Sequence, residues 1–302
     1  MLLSVPLQVK SSEANATDVA VFTLRTNAAF FYLSVMTISA EQQTEINKLQ
    51  HLLAEDGSAS LAFLDKLSYE ELLTLRQRIQ SAMYMEQSSQ WKRLAGVAKF
   101  MPNFANAKVA EQVLGASITA NMSYFIDVRD SVSIMKFLSI PFMAEVASFM
   151  IPDKCTELIN KLPMDTMKKL VSYLIKHQKH FVVGSFVEVT ELNRVIEIAR
   201  YVDKEEELVG ITKYVQHKGS LAGVFRVFPD SKKLRLIEVC KQEGLLSIVV
   251  EMSMHLQAGE LISMANMLAT KRPALLQSLV EEMLRLNQDG KYDYLLNSLK
   301  GQ

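Results

Sequence analysis

Phe149-Met150-Ile151-Pro152-Asp153-Lys154-Cys155-Thr156-Glu157-Leu158-Ile159-Asn160-Lys161-Leu162-Pro163 places Cys155, Leu158, Ile159 and Leu162 at i, i+3, i+4 and i+7. In an α-helix those four side chains fall on one face, and two turns are enough to carry them. Proline at a helix start gives up an N–H that has no intrahelical acceptor anyway, so Pro152 and Pro163 mark beginnings. The stretch therefore predicts a short helix closed by Leu162-Pro163, where the next one starts. A helix of that length is marginal alone and must bury its apolar face on neighbours.

The same spacing recurs along the chain. Met167, Leu170, Val171 and Leu174 form one further quartet, and Leu192, Val195, Ile196 and Ala199 another. Leu261, Met264, Ala265 and Leu268 follow, then Leu276, Leu279, Val280 and Met283. Pro229-Asp230-Ser231 supplies one more proline-led start. Offsetting the chain by 66 positions aligns Pro163 with Pro229, Leu170 with Leu236, Val171 with Ile237, Ile196 with Ile262, Ala199 with Ala265 and Val202 with Leu268. Short helices with weak internal self-similarity read as an array of helical units from about residue 91 to residue 302.

The preceding residues are patterned differently. Leu3, Val5, Leu7 and Val9 alternate, and Asp18 to Leu24 is rich in Val, Phe and Thr, so residues 1–38 read as short strands or as an extended arm. Residues 39–90 read as an N-terminal helical unit. Ser39-Ala40-Glu41-Gln42 and Ser68-Tyr69-Glu70-Glu71 fit the capping box, in which side chains satisfy the free N–H groups of a first turn. The first predicts a helix carrying Ile46, Leu49, Leu52 and Leu53, and the second one carrying Leu72, Leu75 and Ile79. Polar Gln87 to Gln90 reads as the joint to the array. The expected fold is all-α: a superhelical, solenoid-like array behind a small extended or β segment.

Composition excludes several classes. Lys plus Arg number 33 and Asp plus Glu 33, so the chain lacks the basic excess that carries non-specific nucleic-acid affinity. Hydrophobic residues at 49% and charged residues at 22% give ample material for a core. The longest uncharged stretches, Thr26 to Ala40 and Gln112 to Ile126, are shorter than the roughly 20 apolar residues that span a bilayer. No signal-peptide pattern opens the chain, and Cys155 and Cys240 sit among apolar neighbours, so a cytoplasmic, reducing location is expected.

Candidate chemistry is sparse. His177 and His180 stand three apart and could share a helix face, but Lys176 and Lys179 beside them repel a cation, and a solvated basic helix end accounts for all four. His255, between Met254 and Leu256, reads as a partly buried edge of the core. Asp203, Glu205, Glu206 and Glu207 could hold a hard cation, while acidic residues in a first turn equally complement the helix dipole. Gly219-Ser220-Leu221-Ala222-Gly223 lacks the Lys-Ser/Thr of a phosphate loop. Trp91, Lys92, Arg93, Lys99 and Phe100 combine basic and aromatic character, and an amphipathic helix with Trp91 turned inward is the expected form. No catalytic residue and no cofactor is expected.

The stretch from Phe149 to Pro163 resembles the short helix–turn–helix units of the intracellular N domain of MgtE-type magnesium transporters, and of the flagellar motor switch protein. From Trp91-Lys92-Arg93-Leu94 to about residue 285 the chain also resembles a little-described group of bacterial proteins built from such units. The resemblance implies a right-handed superhelical stack. It transfers no metal ligand, because no acidic motif of that domain is matched, and the nucleotide-binding-like modules and membrane helices of the transporters have no counterpart. A stacked-helix surface suits a protein partner or self-association, so the expected function is a non-catalytic interaction or scaffold protein. The alternative is a regulator binding a small molecule or divalent cation, with an enzyme and an RNA-binding repeat protein ranked below it.

Overall fold

The computed structural model describes residues 40–53, 59–85, 88–287 and 289–300. The alternating segment at residues 1–38, Ser39, and Glu86 and Gln87 in the expected joint lie outside the described residues. All regular elements that are described are helices, with no strand among them. The chain divides into two compact units, one spanning Ile38–His255 and the other containing Leu256–Gln302.

Helices α1 (Ala40–Leu53) and α2 (Tyr69–Met85) flank a 3-10 segment, Ala59–Lys66. They pack on a small core of Ile46, Leu49, Leu64 and Leu72, closed by Leu67, Leu75 and Ile79. The expected capping box starts α2: the Glu71 carboxylate accepts from Ser68 N–H at 2.8 Å, and Ser68 Oγ accepts from Glu71 N–H at 3.3 Å. Those Ser68 hydrogen bonds, the backbone one foremost, hold the Glu71 carboxyl below its usual range. The Gln42 side chain reaches across the pair and donates to the Leu67 carbonyl at 2.7 Å.

Thirteen short helices follow in the same unit, and their order along the chain sets their packing. They are α3 (Ser88–Ala98), α4 (Asn103–Val109), α5 (Gly115–Ser123), α6 (Val128–Met135), α7 (Ile140–Phe149), α8 (Thr156–Lys161) and α9 (Met164–Lys176). Then come α10 (His180–Val187), α11 (Leu192–Tyr201), α12 (Glu205–Thr212), α13 (Lys218–Arg226), α14 (Asp230–Gln242) and α15 (Leu246–Ser253). Each odd-numbered helix from α3 to α15 packs against the next odd one, while α4, α6 and α8, and α10, α12 and α14, do the same in a second row. Two-turn helices cannot bury a face alone, so every element borrows its core from its row and from the row opposite. Leu162, Met167, Leu170, Leu174, Val183 and Val215 belong to one buried cluster between them.

The proline signals are realised. Pro163 and Pro229 are the N-caps of α9 and α14, Pro141 stands in the first turn of α7, and Pro152 opens a 3-10 turn, Pro152–Lys154, before α8. The 66-residue offset also has a structural counterpart. Helices α9 and α14 each have 13 residues, and α10 and α15 each have 8. Between them Gln178 (φ 57°) and Gly244 (φ 69°) take the same left-handed turn, closed by Lys179 N–H to the Leu174 carbonyl at 2.8 Å and Leu245 N–H to the Cys240 carbonyl at 2.7 Å. Yet α9 lies in the odd row and α14 in the even one. The offset marks reuse of one helix–turn–helix unit, and the period of the stack is a different quantity.

The paired turns yield a test. A side chain in the left-handed region costs about 1–2 kcal/mol, and glycine's greater freedom in the unfolded chain returns part of that. Gln178→Gly is expected to stabilise the protein by about 0.5–1 kcal/mol, read as a higher denaturation midpoint. A lower midpoint would contradict it.

In the second unit, α16 (Ala258–Lys271) packs on both α17 (Pro273–Leu286) and α18 (Asp293–Lys300). Gln257 and Glu260 form the capping box of α16. Leu261, Met264 and Leu268 are buried as their spacing predicts, and in α17 Leu279 and Met283 are buried along with Leu275.

Candidate functional site

The residues singled out in the sequence do not converge. Helix α9 stops at Lys176, His177 caps it and stacks on Tyr173 at 4.0 Å, and His180 opens α10. The two imidazoles therefore share no helix face, because the left-handed Gln178 turns the chain between them. His180 Nε2 instead meets Glu207 Oε2 at 2.5 Å. His255 is exposed rather than at the core edge; its carbonyl accepts from Arg226 at 2.7 Å. Glu205, Glu206 and Glu207 form the first turn of α12, with Asp203 exposed just before it. Glu205 pairs with Arg235 at 3.4 Å, so two of the four carboxylates are engaged by side chains of neighbouring helices. Among the described residues no three His, Cys, Asp or Glu side chains gather as a metal site. Burial pushes the thiols of Cys155 and Cys240 up to about 12, which keeps both protonated near neutrality.

A buried polar cluster that sequence reasoning missed joins the N-terminal helices to the stack. Glu45 and Lys48 on α1 are buried, and the Lys48 ammonium stands 3.2 Å from Glu45 and 3.3 Å from Glu188. Arg76 on α2 meets Glu45 at 2.6 Å. Lys48 also donates to Gln216 at 3.2 Å, Gln216 bonds the Tyr69 hydroxyl, and buried Lys218 donates to Thr44 at 3.2 Å. The partners that these N-terminal residues find in the stack lie 140 to 174 residues away, so no local pattern could reveal them. A cleft walled by Ser148, Asp153, Phe181 and Glu188 opens beside Lys48 and Arg76. Each cation here already faces a carboxylate or an oxygen, an arrangement that fixes register between packed elements.

The third feature is a surface. Helix α3 buries its alanines, Ala95 and Ala98, and turns larger apolar side chains outward. Leu94 is 40% exposed, Val97 57%, Phe100 89% and Phe104 61%, following one another at steps of three and four residues. Trp91, expected to turn inward, is half-buried. Alanine is small enough to let α3 approach α5 closely, and among the described residues no further element covers the wider apolar side chains. Lys92, Arg93, Lys99 and Lys108, which alternate with them along the chain, are exposed too, and no Asp or Glu occurs from Gln87 to Ala110. Exposed large apolar residues close together in the chain, with charged residues among them, are a feature of interaction faces.

The chain matches no protein-family model, no curated protein and no solved structure. Among the described residues no helix is long and apolar enough to cross a membrane.

Proposed function

We propose that this is a non-catalytic interaction protein, a superhelical stack of short helices that docks a protein partner on the Leu94–Phe104 face. The exposure of Phe100 and Val97, with four exposed cations among their neighbours in the chain, carries this reading. Large apolar side chains gain most when a partner removes them from water, and the cations select a partner whose own apolar contact is flanked by acidic residues. The resemblance to transporter and motor-switch helical domains supports a binding role for such stacks. The alternative, a regulator of small-molecule or ion type, has its sequence-side candidate in Asp203 to Glu207, where Arg235 and His180 already oppose Glu205 and Glu207.

A photo-crosslinking amino acid at position 100, introduced into the full chain in native cells, tests the docking face. One protein should be captured through a segment bearing acidic side chains. Its purified form should then bind at least tenfold more weakly to Phe100→Ser, the size of effect seen when a central aromatic contact is lost. Unchanged binding of the purified partner to Phe100→Ser and Lys99→Glu would overturn the proposal. So would attachment of the face to anionic vesicles in place of a protein.

A further inference from the structure

Between the two helix rows, at the α3 end of the stack, lies a cavity of about 190 Å³. Its wall carries Met101, Met122, Met135, Met143 and Met150, five of the chain's 16 methionines, and no charged residue. An apolar cavity of roughly 150 Å³ is already enough to stay dry and take up a benzene-sized guest. Thioether side chains re-pack at little cost, so such a wall adapts to the shape of what it holds. Exposed Leu94 and Val97 also line the cavity and place its mouth on the surface.

One polar atom breaks the apolar lining without a partner. Ser131, on α6, is 6% exposed, and its buried Oγ has no hydrogen-bond partner among the described residues. A hydroxyl in that position loses its water and gains nothing, a penalty that native interiors rarely tolerate without a reason. A water molecule alone answers it poorly, because water needs two to four polar partners. The nearby polar side chains are already engaged: Asn106 donates to the Ala98 and Met101 carbonyls, Thr119 to the Gly115 carbonyl and Ser123 to the Ala120 carbonyl. The cavity wall also includes Ala110 and Leu114, the two ends of the π-helical turn Ala110–Leu114. Such turns interrupt regular helix mostly at functional sites.

We infer that this cavity is a ligand site for a neutral, linear aliphatic molecule that presents a single oxygen to Ser131. The uncharged wall excludes a carboxylate or phosphate head, since an unpaired charge there would be desolvated without compensation. A chain-like body is favoured because a second apolar void adjoins the cavity, with Ala147, Ile159 and Leu170 lining both. Leu94 and Val97 belong both to the cavity mouth and to the docking face proposed above, so the titration below uses the protein without a partner and varies residues other than Leu94, Val97, Phe100 and Phe104.

Octan-1-ol is the probe, titrated into the full-length protein carrying ¹³C-methyl methionine. The methyl signals of the five wall methionines should shift and saturate, while those of Met264 and Met267 stay in place. Ser131→Ala should weaken octanol about five- to tenfold, the worth of one hydrogen bond, and leave octane unchanged. Octanoate at pH 7 should bind at least tenfold more weakly than octanol. Ala110→Leu fills the cavity and should abolish binding; if that variant does not fold, Ala98→Leu serves the same end. Non-saturable shifts, shifts spread over all methionines, or equal octanol affinity in Ser131→Ala would each overturn the assignment.

Discussion

Glu45→Ala is expected to cost about 3–5 kcal/mol of unfolding free energy, the effect of removing one partner from a buried ion cluster. The Glu45 carboxylate is fully buried and faces two cations, Lys48 at 3.2 Å and Arg76 at 2.6 Å. Its removal leaves both cations desolvated beside a cavity, with Glu188 as the carboxylate still paired with Lys48. The cluster as a whole contributes far less than that number suggests, because desolvating three charged groups offsets most of their attraction. Replacing Glu45, Lys48 and Arg76 together by methionine, with Glu188→Gln so that no carboxylate is left without its cation, is accordingly expected to restore most of the loss. Urea denaturation of the single and combined variants checks both statements. A loss under about 1 kcal/mol for Glu45→Ala would mean that water reaches the cations and the cluster is not sealed.

Gly184→Ala is the second large effect, expected to lower stability by about 2 kcal/mol. Gly184 lies in α10, and a Cβ built on it would stand 2.7 Å from Tyr214 Cβ and 2.8 Å from the Ile211 carbonyl oxygen. The oxygen is backbone at the end of α12, so the helices themselves must part. Overpacking of that kind costs about 1–3 kcal/mol, at its upper end where no side chain can yield, and the gain of about 1 kcal/mol from replacing a helical glycine offsets only part of it. Gly223→Ala is the control. Its Cβ would meet the Leu192 side chain at 2.8–2.9 Å, but Leu192 is half-exposed and can swing away. That variant should be neutral or slightly stabilising. Equal melting temperatures for the two variants would refute the account of why α10 and α12 pack so closely.

Elements that depend on neighbours within one or two turns were legible in the sequence. The Ser68–Glu71 box, the proline caps at Pro163 and Pro229, and the buried face of Cys155, Leu158, Ile159 and Leu162 all follow from contacts within seven residues. The same short range explains the errors. Leu192 carries the same spacing as Met167, yet it is 44% exposed, although its tip lies against Gly223 of α13. His177 and His180 have helical spacing, yet a left-handed residue between them starts a new helix.

The local apolar pattern, the caps and the prolines by themselves determined an all-α chain of short helices, since hydrogen bonding and side-chain direction repeat every turn. Only the tertiary structure decided what those helices leave over. Which apolar face stays uncovered at Leu94 to Phe104, which hydroxyl is stranded at Ser131, and which lysine meets Glu188 depend on packing between helices far apart in the chain. Surface removed from water is a property of pairs of elements, and a single helix's sequence records only its own half of each pair.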